Sequence, residues 1–363
     1  MTVRFSDVTI REGGQMPGRS YDAATRVAAG RELDRLGLAY IQPGFAVAGE
    51  ADRRAIETLA AECDADVVSI ARAVAGDVEA ALEAGADVIE VFGPLSARQL
   101  EHTVGKTREA MLASMAEALD LAREGGATPH LTLVDAFRTD REHVVGAFER
   151  FDDVPVVSLA DTVGAHTPAD VAAVLDRLEG EGVDLGRAGV HFHDDLGVAT
   201  ANALTAGRAG VGKVDVSVAG LGERAGNPPL EEVVTAALVG ERVDVDVRSG
   251  ELVPVCRAVL GALGESVDPR KAVLGSEVTE HESPIHTAAM LSDPGVMEPY
   301  DPARFGGSRT LVFGAKTGRG AARRLLERAG REPTDERVDA LLAALESEGP
   351  VELDGALDAA ENV

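Results

Sequence analysis

Short runs rich in β-branched residues alternate with longer alanine-rich stretches of amphipathic spacing along residues 3–240, with Gly, Pro or Asp between them. Eight strand candidates emerge: VRFSDVTI (3–10), LAYIQPG (38–44), ADVVSIAR (65–72), ADVIEVFG (86–93), TPHLTLV (128–134), VPVVSLAD (154–161), AGVHFHDD (188–195) and KVDVSVAG (213–220). Helices are predicted at 20–37, 49–62, 76–84, 105–125, 140–150, 168–181, 197–209 and 229–240, one after each strand. Thr167-Pro168 marks a helix start, because proline tolerates the first helical turn. Nearly continuous apolar runs indicate strands covered on both faces, which is the pattern of a parallel sheet wrapped by helices. Eight such units in about 240 residues predict an α/β fold, a closed (β/α)8 TIM barrel. An open doubly wound sheet is the competitor, but IREGGQMPG after the first strand lacks the G-x-G-x-x-G spacing of a dinucleotide turn.

Past residue 245 the pattern changes to helical stretches broken by loops. A helix is predicted near 249–264, a polar loop over 275–286, a proline-rich crossing over 294–304, and helices near 317–330, 334–347 and 353–360. The expected division is a barrel over 1–245 and a C-terminal helix-rich extension over 246–363.

Charge narrows the choice of partner. The 363 residues carry 62 Asp and Glu against 35 Lys and Arg, a net charge of −27, and lysine occurs only at 106, 213, 271 and 316. Such a field repels phosphate backbones, so nucleic acid is not an expected partner. The acidity suits a hydrated surface in high salt, where screening removes the self-repulsion, and points to a halophilic source. No apolar run approaches the ~18 residues of a membrane span, and the N-terminus MTVRFSDVTIREGG has no signal-like apolar core. The expectation is a cytoplasmic protein without a membrane partner. Two cysteines, Cys63 and Cys256, are too few for a disulfide framework or a thiolate zinc site.

The strongest chemical signal is His191-Phe192-His193-Asp194-Asp195 at the end of the seventh strand candidate. Residues two apart on a strand share a face, so both imidazoles point into the barrel mouth, where barrel enzymes place their chemistry. A lone histidine there would read as an ordinary core residue; the i, i+2 pair flanked by aspartates reads as a metal site. Asp7, at the end of the first strand, is the expected third ligand, since barrel closure leaves one strand between it and the pair. Asn227, closing GLGERAGN (220–227) after the eighth strand, is the expected fourth. Alone, Asp7 would read as a cap and Asn227 as a turn former. Together the four donors suit divalent Mg, Mn, Co or Zn with two positions open for a 2-oxo acid.

DVTIREGGQMPG (7–18), HFHDDLGVATANA (191–203), GLGERAGN (220–227) and HESPIH (281–286) together resemble the isopropylmalate, citramalate and homocitrate synthases, relatives of the HMG-CoA lyases. The resemblance implies a TIM barrel with Asp7, His191, His193 and Asn227 on a divalent metal ion. It also implies a Claisen-type condensation of acetyl-CoA with a metal-chelated 2-oxo acid. In that reading Arg11 neutralises the developing oxyanion, Gln15 lies near the substrate, Thr162 contacts its carboxylate, and His286 serves as base from the extension of a partner subunit in a homodimer. Without the resemblance, Arg11 reads as an ion pair with Glu12, Thr162 as a turn residue, and His281 and His286 as solvent-facing.

Three positions depart from the family pattern. Val134-Asp135 stands where Glu-Asp usually ends strand five, Ile41-Gln42 where strand two commonly ends Ile-Glu, and Met297-Glu298-Pro299 where a Y-E-P stretch is common, with Tyr300 nearby. Valine accepts no proton and methionine donates no phenolic hydrogen bond, so the departures bear on acetyl-CoA activation rather than on metal binding. Asp135 or Tyr300 is the candidate replacement. The Arg-Glu-Gly of the first motif tilts the resemblance toward homocitrate synthases, and the short extension leaves no room for the feedback domain of many isopropylmalate synthases. Two other readings stand beside the synthase: an HMG-CoA-lyase-like carbon–carbon lyase, and a paralogue that binds metal and oxo acid without turnover.

Overall fold

Eight parallel strands close on themselves in the computed structural model, which describes residues 2–240 and 243–363. They are β1 (Thr2–Asp7), β2 (Tyr40–Gly44), β3 (Asp66–Arg72), β4 (Val88–Pro94), β5 (Thr128–Val134), β6 (Val157–Asp161), β7 (Ala188–Phe192) and β8 (Lys213–Val216). Each pairs with its neighbour in chain order, and β1 pairs with both β2 and β8, which closes the barrel. Helices follow the strands as the periodicity predicts, so the protein is a TIM barrel with a C-terminal helical region.

Alternation along the strands sorts residues between two cores. Val3 and Phe5 of β1, two apart, share the outward face and pack under the helices, while Ser6, next in the chain, is fully buried on the face toward the barrel axis. Side-chain caps begin several helices: Asp22 accepts from the Thr25 N–H, Thr107 from that of Ala110, and Thr167 forms a capping box with Asp170 ahead of Pro168.

Strand ends depart from the sequence-based expectation where chemistry is concentrated. β1 stops at Asp7 instead of residue 10, and Thr9–Gly13 forms a helical turn. The cause is local: the Asp7 carboxylate accepts from the Thr9 N–H at 2.9 Å and the Thr9 hydroxyl at 2.8 Å, a turn that ends the extended chain. β7 stops at Phe192 rather than 195, leaving His193 just beyond it. β8 stops at Val216 rather than 220, before a 3-10 turn at Val218–Gly220.

The chain divides into two compact units, Met1–Val267 and Asp268–Val363, so the boundary falls past 245. Helix Leu252–Leu263, expected in the extension, packs against helix Ala23–Asp34 of the barrel. Its buried Leu252, Val255, Cys256, Val259 and Leu263 supply an apolar face that needs that cover. The second unit carries a small sheet that periodicity does not reveal, Glu280–His281, Thr310–Phe313 and Val351–Glu352. Its core joins Met290, Phe313, Leu325, Leu326, Leu341 and Leu345, with Met297 packed against it. No helix of the described residues is long and apolar enough to cross a membrane.

Candidate metal centre and active site

Inward positions at the C-terminal ends of the strands line a cavity of about 190 Å³. Gln42, Ile70, Glu90, Phe92, Thr132, Val134, Ala160, Thr162, His191, His193 and Asp215 come from β2 to β8 or the residues just after them, at the i, i+2 spacing of one strand face, and Arg11 and Gln15 from the turn after β1. Of the expected substrate residues, Arg11, Gln15 and Thr162 all line this space.

The structure brings Glu12, not Asp7, to the histidine pair. Ligand atoms of Glu12, His191 and His193 lie within 4.8 Å of one another, a group that could hold a metal ion. Glu12 Oε1 is 3.6 Å from His191 Nε2, and the two imidazoles meet edge to face with ring centroids 5.1 Å apart. Asp7 is withheld because both its oxygens serve Thr9, whose hydroxyl also accepts the Val218 N–H at 2.7 Å and so stitches β1 to the end of β8. Burial pushes the Asp7 carboxyl up to about 7, against the Thr9 bonds, so it is not a fixed anion at neutral pH. Burial also works against the Glu12 charge, but Arg11 and then the two imidazoles outweigh it and hold its carboxyl below the usual range. The turn Thr9–Gly13 thus carries a carboxylate to the pair from five residues beyond the expected one; the Arg11-Glu12 pair is its signal in the sequence.

Asn227 lies beside the histidines. It is 1% exposed, its Nδ2 donates to the Phe192 carbonyl at 3.0 Å, and it lies 3.5 Å from His191 Nε2. Its loop is shaped by glycines at two points. Gly226 has φ +86°, and a Cβ there would lie 1.8 Å from the Gly220 carbonyl oxygen; a Cβ on Gly222 would lie 2.2 Å from Asn227 Oδ1. Arg224 fastens the same loop to the β7 and β6 ends through Asp195 and the Thr162 carbonyl.

The fit to a metal ion rests on unpartnered atoms. Glu12 Oε2 and His193 Nδ1 are buried without a hydrogen-bond partner, a costly state that a bound cation would relieve; Asn227 Oδ1 is also unpartnered, and the amide turns its Nδ2 toward His191. Burial, reinforced by His191, pushes the His193 imidazole down to about 4, so it is neutral and ready to donate its lone pair. His191 Nδ1 meets Asp215 Oδ2 at 3.0 Å, the kind of carboxylate contact that fixes the tautomer and leaves Nε2 toward the centre. One carboxylate and two imidazoles suit a divalent ion without naming which.

Beneath the centre lies a buried ionic network that no sequence motif announces. Lys213 is fully buried, with Nζ 2.9 and 3.1 Å from the Glu90 oxygens and 3.0 Å from Asp215 Oδ1. Burial opposes all three charges, but the contacts prevail: Lys213 is held above its usual range and Glu90 and Asp215 below theirs. Gln42 continues the chain, donating to Glu90 at 2.7 Å and accepting from Arg11 Nε at 3.0 Å. A glutamate at position 42 could serve Arg11 but would set a carboxylate against Glu90, so Gln42 fits the partner it has here.

Of the two candidates to replace the missing strand-five carboxylate, Asp135 is committed: it pairs with Arg138 at 2.7 and 3.0 Å and accepts from Ser96. Tyr300 lies in the second unit, its ring edge to face with Phe305. Val134 lines the cavity in the place expected of an acceptor. The Thr162 hydroxyl accepts the Asp135 N–H at 2.8 Å, which leaves its O–H to donate into the cavity. His286 sits on helix Pro284–Met290 of the second unit, its ring centroid 6.2 Å from that of His281.

A TIM barrel with a Glu-His-His group that could hold a metal ion at the C-terminal ends of its strands, beside a cavity lined by Arg11, has the layout of a metal-dependent barrel enzyme. The chain matches the HMGL-like family over residues 2–259 and the homocitrate synthase post-HMGL domain-like family over 273–349. It is 36% identical to a putative (R)-citramalate synthase of Methanopyrus kandleri over 96% of this chain and 69% of that protein. It is likewise 36% identical to the homocitrate synthase AksA of the same organism, over 94% of this chain and 87% of that one. Among solved structures, an HMG-CoA lyase of Bacillus subtilis superposes with a TM-score of 0.64 at 24% identity, covering 73% of this chain and 95% of that one, a likeness of fold. The chain belongs to the HMGL-like family, with the citramalate, isopropylmalate and homocitrate synthases among its relatives, and is an enzyme of that synthase type.

Proposed function

We propose that this enzyme condenses acetyl-CoA with a 2-oxo acid chelated on a divalent ion held by Glu12, His191, His193 and Asn227: the acetyl methyl loses a proton and its carbon bonds to the ketone carbon, and water then cleaves the thioester to release CoA and a 2-hydroxy dicarboxylic or tricarboxylic acid. A bound ion of this kind polarises the ketone toward attack. The observation that carries the reading is the Glu12, His191 and His193 group, whose ligand atoms lie within 4.8 Å of one another, beside the Arg11 guanidinium that pairs with Glu12. Arg11 faces the charge that develops on the ketone oxygen, held in orientation by Gln42 and Glu12. Thr162 donates its hydroxyl to the acid's carboxylate, and Gln15, at the exposed rim, closes over the substrate. Glu90 lines the cavity too, but its ion pair with Lys213 keeps it a weak base. His286 is the base we propose for the acetyl methyl, supplied across a homodimer.

Free-thiol release tests this: purified protein in high salt with Mg or Mn, acetyl-CoA, and pyruvate, 2-oxoisovalerate or 2-oxoglutarate. CoA appears with at least one acid and ceases with chelator or in His286→Ala. A second reading, a paralogue that binds without turnover, is favoured by Val134 in the cavity wall and by the engagement of Asp135 with Arg138. Silence with all three acids would decide for it.

A further inference from the structure

The walls of the cavity divide into an apolar side and an acidic floor. Ile70, Phe92, Val134 and Ala160, from four adjacent strands β3 to β6, present hydrocarbon, while Glu90 and Asp215 present carboxylates. The cations near this floor are paired with carboxylates of the site. Lys213 is fully buried between Glu90 and Asp215, with two hydrogen bonds to Glu90 and an ion pair with Asp215, and is not among the residues that line the cavity. Arg11 uses Nε on Gln42 and Nη1 on Glu12.

We infer that the site selects a 2-oxo acid with one carboxylate and an apolar side chain, and that Glu90 is the residue that turns away a second carboxylate. The inference rests on the reading above that a 2-oxo acid binds here. Charge balance leads to it. Glu12, Glu90 and Asp215 against Arg11 and Lys213 leave one net negative charge around the cavity. A divalent ion reverses this to one positive, and a single substrate carboxylate brings it to zero. The second carboxylate of a 2-oxo dicarboxylate finds no cation in these walls beyond Arg11, which the ketone and Glu12 already share, and the wall beside it is apolar or carries Glu90. Either position strips water from the carboxylate without replacing it, a costly mismatch. An apolar side chain meets Ile70, Phe92 and Val134 with no such loss. Discrimination among apolar acids differing by a methylene is weaker, so the class includes both pyruvate and 2-oxoisovalerate. The Arg-Glu-Gly signal toward homocitrate synthases, whose acid is a dicarboxylate, points the other way; the cavity walls outweigh it because they touch the group in question.

Calorimetric titration of the Mn-loaded full-length protein, without acetyl-CoA, reads binding apart from turnover. Pyruvate or 2-oxoisovalerate is expected to bind at least tenfold more tightly than 2-oxoglutarate. Glu90→Gln narrows that ratio at least threefold, and Val134→Lys, at a half-buried wall position, does so by supplying the absent cation. Equal or tighter binding of 2-oxoglutarate by the unmodified protein overturns the inference and leaves the proposed function standing. No heat with any of the three acids, while Mn still binds, overturns the proposed function and this inference with it. The comparison in the unmodified protein decides even if Glu90→Gln does not fold.

Discussion

Lys213→Met is the most informative single change in the barrel. The side chain is fully buried and holds two carboxylates at 2.9 to 3.1 Å, and methionine matches its length without its charge. At an effective dielectric of about 20, each contact is worth roughly 5 kcal/mol before desolvation. Removing one partner of a buried pair typically costs about 3–5 kcal/mol, because the survivors keep their desolvation without their counter-charge. For a unit of this size that corresponds to a fall in Tm of roughly 6–20 °C. Without Lys213, burial and mutual repulsion raise the folded pKa of Glu90 and Asp215 above their unfolded values near 4. A raised carboxylate costs stability increasingly as pH climbs from the unfolded toward the folded value, so the deficit is larger at pH 8 than at pH 5. Urea denaturation of both proteins at the two pH values measures it. Adding Glu90→Gln to Lys213→Met recovers part of the loss, since one unpaired anion is gone. A loss below about 1 kcal/mol at pH 8, or a deficit independent of pH, would refute the view that these three charges are mutually dependent.

Four other outcomes follow from the site and the surface. Glu12→Gln weakens Mn binding at least tenfold while Asp7→Asn leaves it within threefold, read by calorimetry; the reverse order would return Asp7 to the ligand set. Burial pushes His130 down to about 3 and His193 to about 4, below the ~6.5 of an unfolded histidine. In metal-free protein, stability present above pH ~6.5 is therefore lost as pH falls toward those values, by about 2 kcal/mol for His130 at pH 5, and a flat urea midpoint between pH 7.5 and 5 counts against it. Gly226→Ala, at φ +86° and facing the Gly220 carbonyl, displaces Asn227 and lowers metal affinity at least tenfold; unchanged affinity would show that the loop does not position the ligand. With a net charge of −27, the urea midpoint rises on going from low to molar KCl, and a constant or falling midpoint would remove the proposed adaptation to salt.

Much of the fold is legible in the amino-acid pattern alone, and the features that are not share a cause. The barrel follows from eight strand–helix units because short β-branched apolar runs, bounded by Gly, Pro or Asp and alternating with longer amphipathic stretches, mark strands covered on both faces. His191, His193 and Asn227 come together because barrel closure fixes where strand ends meet. Asp7 behaves differently. A strand running through residue 10 would keep the whole first motif extended, whereas the Asp7–Thr9 bonds fold it into a helical turn. Asp7 also shares its strand face with Phe5, two residues before it, and that face packs away from the barrel axis. The turn rotates the side chains that follow, so Arg11 and Glu12 reach the site and Asp7 does not. Helix Leu252–Leu263 belongs with the barrel for a related reason: amphipathic spacing reveals that a helix buries one face, not against which partner.

The network under the metal centre shows why isolated departures from a family pattern are poor guides to lost activity. Gln42 and Glu90 sit on different strands, β2 and β4, 48 positions apart, and nothing along the chain links the glutamine at 42 to a partner. In the barrel they touch at 2.7 Å, and the amide is the one side chain of its size that donates to Glu90 while accepting from Arg11. Lys213 on β8 then supplies the charge that Glu90 requires, and Asp215 passes the same constraint to His191 Nδ1. Gln42 therefore preserves the orientation of Arg11 instead of breaking it. Val134 has no such partner: its neighbour Asp135 is committed to Arg138, and none of the other residues lining the cavity from β4 and β6 restores a carboxylate free of an ion pair at that place. Val134→Glu separates the two cases, since it should raise turnover if proton removal from the acetyl group limits the rate, whereas Gln42→Glu should lower it by setting two buried carboxylates together. A Val134→Glu enzyme no faster than the parent, with metal and oxo-acid binding intact, would place the base elsewhere and leave His286 to act without a carboxylate on β5.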